Sequence, residues 1–415
     1  MSAPALRVLS LYEGFFSGGA RALHTTVVVG LHTGGSQVHS ALAIHRTVQR
    51  ETLLQRMTDD PRYRALRQAG VRVATLGRPH DHAAPGFTDR ELATVARHAA
   101  AADLVVSLKE QPLRLVNQPS FPGTPVVACL HRSDPEHSGV ALDDLLAASS
   151  SGRLAGAICC AWSTRDAYAA AGVPESLLQV VPNGVDLARF RPVSPARRGS
   201  LRAALGLPVD APVVTIAARY DTMKNVGLFV RAARVWLDAT PDGHALACGA
   251  GMDHANADLQ DDLATVFADR PDLLARLHLL GVRHDMQHVY AATDVVALTS
   301  SFGEAAPLCL IEGAMCGAVP VATDVGDAAR IVDGIGLVVP TEPDAVAAGW
   351  TEAVRRREEL EPAREAARTR FSHTRMVAAY ATVLEQLHRD ATGMRRAAQP
   401  RPAVRVGARG ARTTA

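Results

Sequence analysis

Apolar residues along this chain gather into short continuous runs separated by helix-length stretches of mixed character. In the first half the runs are "ALRVLSLY", "VRVATLG", "ADLVVSL", "TPVVACLH", "AGAICCAW" and "LLQVVPNGVD". In the second they are "PVVTIAAR", "HALACGAG", "LHLLGV", "DVVALTS", "AVPVATD" and "GLVVP". Runs of Val, Ala and Leu without polar alternation predict strands covered on both faces, and the helical patterns between them predict right-handed crossovers in a parallel sheet. Each half therefore reads as its own doubly wound, Rossmann-like α/β domain, one over residues 1–190 and one over 191–372, facing across a crevice. A helix over 373–391 is expected to complete the first domain. The Pro-, Arg- and Ser-rich "ARFRPVSPARRGS" marks the junction. Residues 392–415 lack acids and large apolar side chains and predict a basic, disordered tail.

Composition narrows the function classes. A chain of 415 residues exceeds one ordinary core, which agrees with two domains. A formal net charge of +2 gives no reason to expect nucleic acid as partner. The start, "MSAPALRVLSLYEGFF", has too short an apolar run for a signal peptide and meets Glu13 early, so it reads as a first strand. No segment approaches the roughly 20 apolar residues of a membrane span. Cys129, Cys159, Cys160, Cys248, Cys309 and Cys316 mostly sit inside apolar runs, without the spacing of a disulfide framework or zinc site, which suits a reducing cytosol. The sixteen histidines are irregularly placed, and no metal cluster is expected.

Doubly wound folds bind ligands beyond the carboxyl ends of their strands, so candidate chemistry is sought there. "PVVTIAAR" ends on Arg219, and "YDTMKN" carries Lys224 to the opening of the next helix. Two cations beside a helix N-terminus suit a diphosphate; the same residues also fit a solvated loop. In "SFGEAAPLCLIEGAMCG", Pro307 marks the start of a helix over Leu308–Cys316, with Glu304 in the loop before it and Glu312 about two turns along. A carboxylate can accept from two neighbouring hydroxyls, so a sugar and a ribose would each suit one glutamate. Taken alone, both also fit surface or helix-cap positions. Gly249 and Gly251 in "ACGAG" read as a tight strand-to-helix turn lining the crevice, since the third glycine and the acid of a dinucleotide fingerprint are missing.

Together these motifs resemble the family-four retaining glycosyltransferases of the GT-B fold, the group 1 type. "RYDTMK" stands for that family's Arg-x4-Lys pair and "EAAPLCLIE" for its E-x7-E motif, in the family's order. "GAMCGAVPVATDVG", "VVPNGVDLARF", "GVRHDMQHVYAATDVVALTS" and "FSHTRMVAAY" extend the likeness over most of the chain, weakest over the first 120 residues. The resemblance implies that Arg219 and Lys224 neutralise the diphosphate of a UDP- or GDP-linked sugar. Glu304 would bind the transferred sugar and Glu312 the ribose, while amides of Leu308 and Cys309 would touch the phosphates. Gly18 and Gly19 in "FSGGARALH" would be the glycine-rich loop, and His131 would stand beside the donor sugar. Where the family often has Gly-Gly-x-x-Glu, this chain reads "VGDAAR" from Val325 to Arg330.

No Asp-x-Asp carboxylate pair ends a strand, so no metal or other cofactor is expected, and Arg219, Lys224 and helix amides would meet the leaving-group charge. With the family, a retaining transfer is expected. A nucleotide-sugar epimerase of the same architecture and a noncatalytic transferase-like binding subunit are the alternatives. Acceptor choice is expected in loops such as "LHTGGSQVHS" and "HRSDPEHSG", without a signal for which acceptor. Arg395, Arg396, Arg401, Arg405, Arg409 and Arg412 could draw the protein to the anionic inner face of a membrane. The Ala- and Arg-rich composition suggests a bacterial source.

Overall fold

A computed structural model describes residues 5–16, 18–50, 53–80 and 86–398. Twelve of its strands coincide with the apolar runs. The first sheet holds β1 (Leu6–Tyr12), β2 (Gln37–Arg50), β3 (Leu53–Arg56), β4 (Arg72–His80), β5 (Leu104–Leu108), β6 (Val126–Leu130), β7 (Leu154–Cys159) and β8 (Leu178–Val180). Its order is β3-β2-β1-β5-β6-β7-β8, with β4 also paired to β2, and every pairing is parallel except β2 with β3. The second sheet holds β9 (Val213–Ala217), β10 (His244–Cys248), β11 (Leu277–Gly281), β12 (Val295–Leu298), β13 (Val319–Thr323) and β14 (Leu337–Val339). Its order is β11-β10-β9-β12-β13-β14, parallel throughout. Every residue of β5, β6 and β13 is buried, as continuous apolar runs require when helices cover both faces.

Chain direction across the sheet reverses between β1 and β5 in the first and between β9 and β12 in the second. Loops leaving neighbouring strands at such a switch point diverge to opposite faces and leave a crevice between them. That topology decides where the site can be.

Strand β2 departs from the sequence reading. "LHTGGSQVHS", expected as an acceptor loop, is instead the end of the helix Gly19–Thr33, a short turn and the start of β2. Polar residues broke the apolar run, yet they are buried inside it and partly paired there: His39 Nε2 lies 2.9 Å from Gln37 Oε1, and His45 Nδ1 lies 2.9 Å from the Pro79 carbonyl.

The chain crosses between the two sheets twice, side by side. The Val185 amide donates to the Phe371 carbonyl at 2.8 Å and the His373 amide donates to the Val185 carbonyl at 2.9 Å. After the second crossing the helix His373–Ala398 lays Met376, Tyr380 and Leu384 against Val8, Val127 and Ile158 of the first sheet. This helix runs past Ala391 into the stretch read as a tail. Residues 399–415, with Arg401, Arg405, Arg409 and Arg412, lie outside the described residues, as do the side chains of Arg395 and Arg396. The six cysteines are unpaired. Among the described residues no helix is long and apolar enough to cross a membrane.

Candidate functional site at the switch points

Where β9 and β12 lie side by side, their exit loops carry Lys224 and Glu304 into one place. The loop after β9 folds into a short 3-10 turn, Thr222–Lys224, capped by Asp221, whose carboxylate accepts from the Lys224 amide at 3.0 Å. Asn225 then takes a left-handed conformation and caps the helix Val226–Ala239. The Lys224 ammonium donates to Glu304 Oε1 at 2.5 Å, and the Ser300 hydroxyl donates to the same oxygen at 2.6 Å. Glu304 Oε2 takes no hydrogen bond among the described residues. Its side chain is 8% exposed, so the pair is worth more than a surface ion pair while its desolvation cost is also higher.

The helix Leu308–Met315 begins directly after this loop, with Pro307 at its N-cap and no side chain capping it. The amides of Leu308 and Cys309 are therefore donors aimed at the crevice, at the positive end of the helix dipole. Burial, followed by the nearby Glu304, pushes the Cys309 thiol up to about 12, so it stays protonated and is no nucleophile.

Two glycines make the close packing of these loops necessary rather than incidental. Gly249 has φ 136°, and a Cβ there would lie 1.9 Å from the Ala218 carbonyl oxygen. Gly326, at φ 61°, lies against Glu304: a Cβ would meet its carbonyl oxygen at 2.0 Å. Any side chain at either position would push apart the strand exits that carry Lys224 and Glu304.

The first sheet supplies the opposite wall. Lys109, which follows β5, is a non-glycine residue at φ 66°, a conformation that its amide bond to Cys129 and the Ser107 hydroxyl bond to its carbonyl hold in place. Burial lowers its pKa, helped by Arg21. His131 follows β6. Burial, and then Lys109, hold its imidazole down at about 3, so the ring is neutral, and its Nε2 is buried without a partner.

Between the walls lies a cavity of about 480 Å³. Gly19, His131, Arg219, Lys224, Glu304, Leu308 and Cys309 line it, together with Lys109, Arg132 and Asp134. Arg219 sits on its rim, 69% exposed and paired with Asp221 at 2.9 Å. Gly18, Gly249 and Glu312 do not line this cavity. Gly18 caps the helix Gly19–Thr33 with φ 158°, and Glu312 lies one layer further along its helix, where burial raises it to about 7 against the opposing pull of Arg189.

Hydrogen bonds join the walls. The Ser133 hydroxyl donates to the Glu304 carbonyl, and Asn183 Nδ2 donates to the Ala306 carbonyl at 3.3 Å. Asp327 accepts from the Trp162 and Ser163 amides at 2.9 and 2.8 Å, which caps the helix Trp162–Ala170 from the other domain. Lys109, Ser300 and Asp327 had not been singled out in the sequence. The one available signal for Asp327 was its place in "VGDAAR", where the chain departs from the family pattern. Among the described residues no group of three or more His, Cys, Asp or Glu is placed to hold a metal ion.

Residues 211–356 match the family described as Glycosyl transferases group 1. The chain is 33% identical over 198 residues to a D-inositol 3-phosphate glycosyltransferase of Saccharomonospora viridis, covering 44% of this chain and 42% of that protein. With the enzyme of the same name from Mycolicibacterium smegmatis it shares 29% over 252 residues, 56% of this chain and 52% of that protein. It thus spans about half the length of the curated relatives it matches. Among solved structures, Anabaena HepE in complex with UDP superposes with a TM-score of 0.76 at 22% identity, over 92% of this chain and all of the other. Sucrose-phosphate synthase of Thermosynechococcus elongatus does so at 0.64 and 18%, over 93% of this chain and all of the other. The second domain is a group 1 glycosyltransferase domain, and the chain that carries it has the GT-B fold.

Proposed function

We propose that this protein transfers a sugar from a nucleotide-diphosphate sugar to an acceptor in the crevice, with retention of configuration and without a metal. The observation that carries the reading is the meeting of Lys224 and Glu304 at 2.5 Å beside the uncapped start of the helix Leu308–Met315. A donor diphosphate placed over that helix start would take Lys224 and the Leu308 and Cys309 amides, with Arg219 closing from the rim. Glu304 would then turn both carboxylate oxygens to sugar hydroxyls. Glu312 would hold the ribose at the far end. HepE has been solved with UDP and with UDP-glucose, which supports a UDP-linked donor here; a GDP-linked donor fits the same phosphate site.

In the transfer the bond from the anomeric carbon to the diphosphate oxygen breaks, and the acceptor oxygen forms a new bond on the same face. The acceptor proton passes to the departing diphosphate. Charge grows on the diphosphate in the transition state, where Lys224 and the amides are already in position. Each such preorganised donor contributes about two to three orders of magnitude in rate. His131, neutral and with a free ring nitrogen, would bond the sugar rather than carry charge. The unpaired cysteines suit a reducing compartment such as the cytosol.

The test is the anomeric configuration of the released or transferred sugar in early proton NMR spectra, recorded with a chelator present. Retained configuration at an unchanged rate is expected. Inverted product, or loss of turnover on chelation, would overturn this part of the proposal.

A further inference from the structure

A second cationic cavity, of about 350 Å³, lies in the second domain at the opposite end of the helix Leu308–Met315 from the crevice. Its wall carries Arg198, Arg357, Arg364 and Arg368 with only Glu361 and Glu365 as acids. Residues 361, 364, 365 and 368 follow the spacing of one helix face, so the segment Glu361–Ala367 and the residue after it turn that face to the cavity.

Local structure accounts for part of this charge. Arg198 and Arg202 take the Asp294 carboxylate at 2.6 and 2.7 Å, and Arg368 donates to the Met315 carbonyl at 3.0 Å, closing the end of its helix. What remains is unbalanced. Arg364 is 4% exposed, and its single hydrogen bond runs from Nη2 to the Arg357 carbonyl at 2.8 Å; Nε and Nη1 are buried without partners. Among the described residues no carboxylate lies within ion-pair distance of it, and Glu361 acts on it only from further away. Arg357 also has a buried Nε without a hydrogen bond; its ion pair, at 3.5 Å, is with Asp294, whose carboxylate already accepts from Arg198, Arg202 and the Val213 amide. Burial, and then Arg357, lower Arg364 to about 10 against the opposing pull of Glu361. A buried guanidinium without a counter-charge is costly unless something supplies one.

We propose that this cavity is an anion site for a small soluble dianion of the phosphate class, distinct from the crevice, in which the ligand is the counter-charge of Arg357 and Arg364. Planar guanidinium groups converging from three segments match the oxygens of a phosphate group, which Arg can bind in bidentate fashion. The site goes beyond the transfer reaction and does not depend on it.

Inorganic phosphate is the probe, titrated into the full chain by calorimetry. Because the crevice would also attract phosphate, Lys224→Met serves as the background in which that site is weakened. Binding of one phosphate is expected to persist in Lys224→Met and to weaken by about tenfold or more in Arg364→Gln and in Arg357→Gln, the loss expected for a charged hydrogen bond. Should Arg364→Gln fail to fold, Arg357→Gln, at a side chain 34% exposed, decides. Absence of binding at millimolar phosphate, loss of binding in Lys224→Met alone, or unchanged affinity in both arginine variants would overturn the proposal.

Discussion

Lys224 and Glu304 form one ion pair, 2.5 Å from Nζ to Oε1, although 80 residues separate them in the chain. The cation assigned to the diphosphate and the carboxylate assigned to the sugar thus hold each other in register. In the proposed role Lys224 would face charge that is greatest in the transition state, so Lys224→Met is expected to lower kcat by about two to three orders of magnitude while changing donor affinity much less. The double variant with Glu304→Gln should lose less than the two single losses combined, since each partner positions the other. A Lys224→Met enzyme impaired only in KM would contradict the assignment.

Glu312 is expected to act on the nucleotide rather than on the sugar. Glu312→Ala should weaken nucleotide binding by about 1.5–3 kcal/mol, the scale of hydrogen bonds to a charged group. Calorimetry on the folded variant measures this directly; unchanged affinity would remove the ribose role.

The same residue predicts a pH dependence. Burial raises the Glu312 carboxyl from its ordinary 4.5 to about 7 in the folded chain. Between those values the folded protein holds a proton that the unfolded chain has released, so this group's contribution to stability falls as pH rises through the window and levels off above it. In the proposed role ribose hydroxyls would donate to the ionised form, so nucleotide affinity should strengthen as pH rises through about 7. Glu312→Gln should flatten both trends; a variant that keeps the wild-type profiles would place the titration elsewhere.

Asp327 caps a helix that belongs to the other domain, through the Trp162 and Ser163 amides. Asp327→Ala should therefore cost about 1 kcal/mol, the usual loss for a helix N-cap, and should raise protease cleavage near the two crossings more than within either sheet. Cleavage confined to the sheets' own loops would show that the contact does not hold the domains together.

The second domain was legible in the sequence almost strand by strand, because β9, β10, β12 and β13 are continuous apolar runs with helices on both faces. β2 was not, since Gln37, His39 and His45 are polar residues whose burial depends on partners that no local pattern reveals. The candidate site divides the same way. Lys224 and Glu304 stand at strand ends, and switch-point topology alone brings them together. Lys109 depends on a left-handed backbone, and Asp327 on an interface between domains; neither leaves a mark in spacing.

In the proposed reaction the crevice holds a nucleotide-sugar donor whose diphosphate leaves against Lys224. Its most direct test is release of nucleotide diphosphate from a panel of UDP- and GDP-linked sugars, compared between the native chain and Lys224→Met, with no metal added. Release from at least one donor by the native chain is expected, with a loss of about two to three orders of magnitude in the variant. Equal release from both proteins, or binding of a nucleotide sugar that is never cleaved, would contradict it.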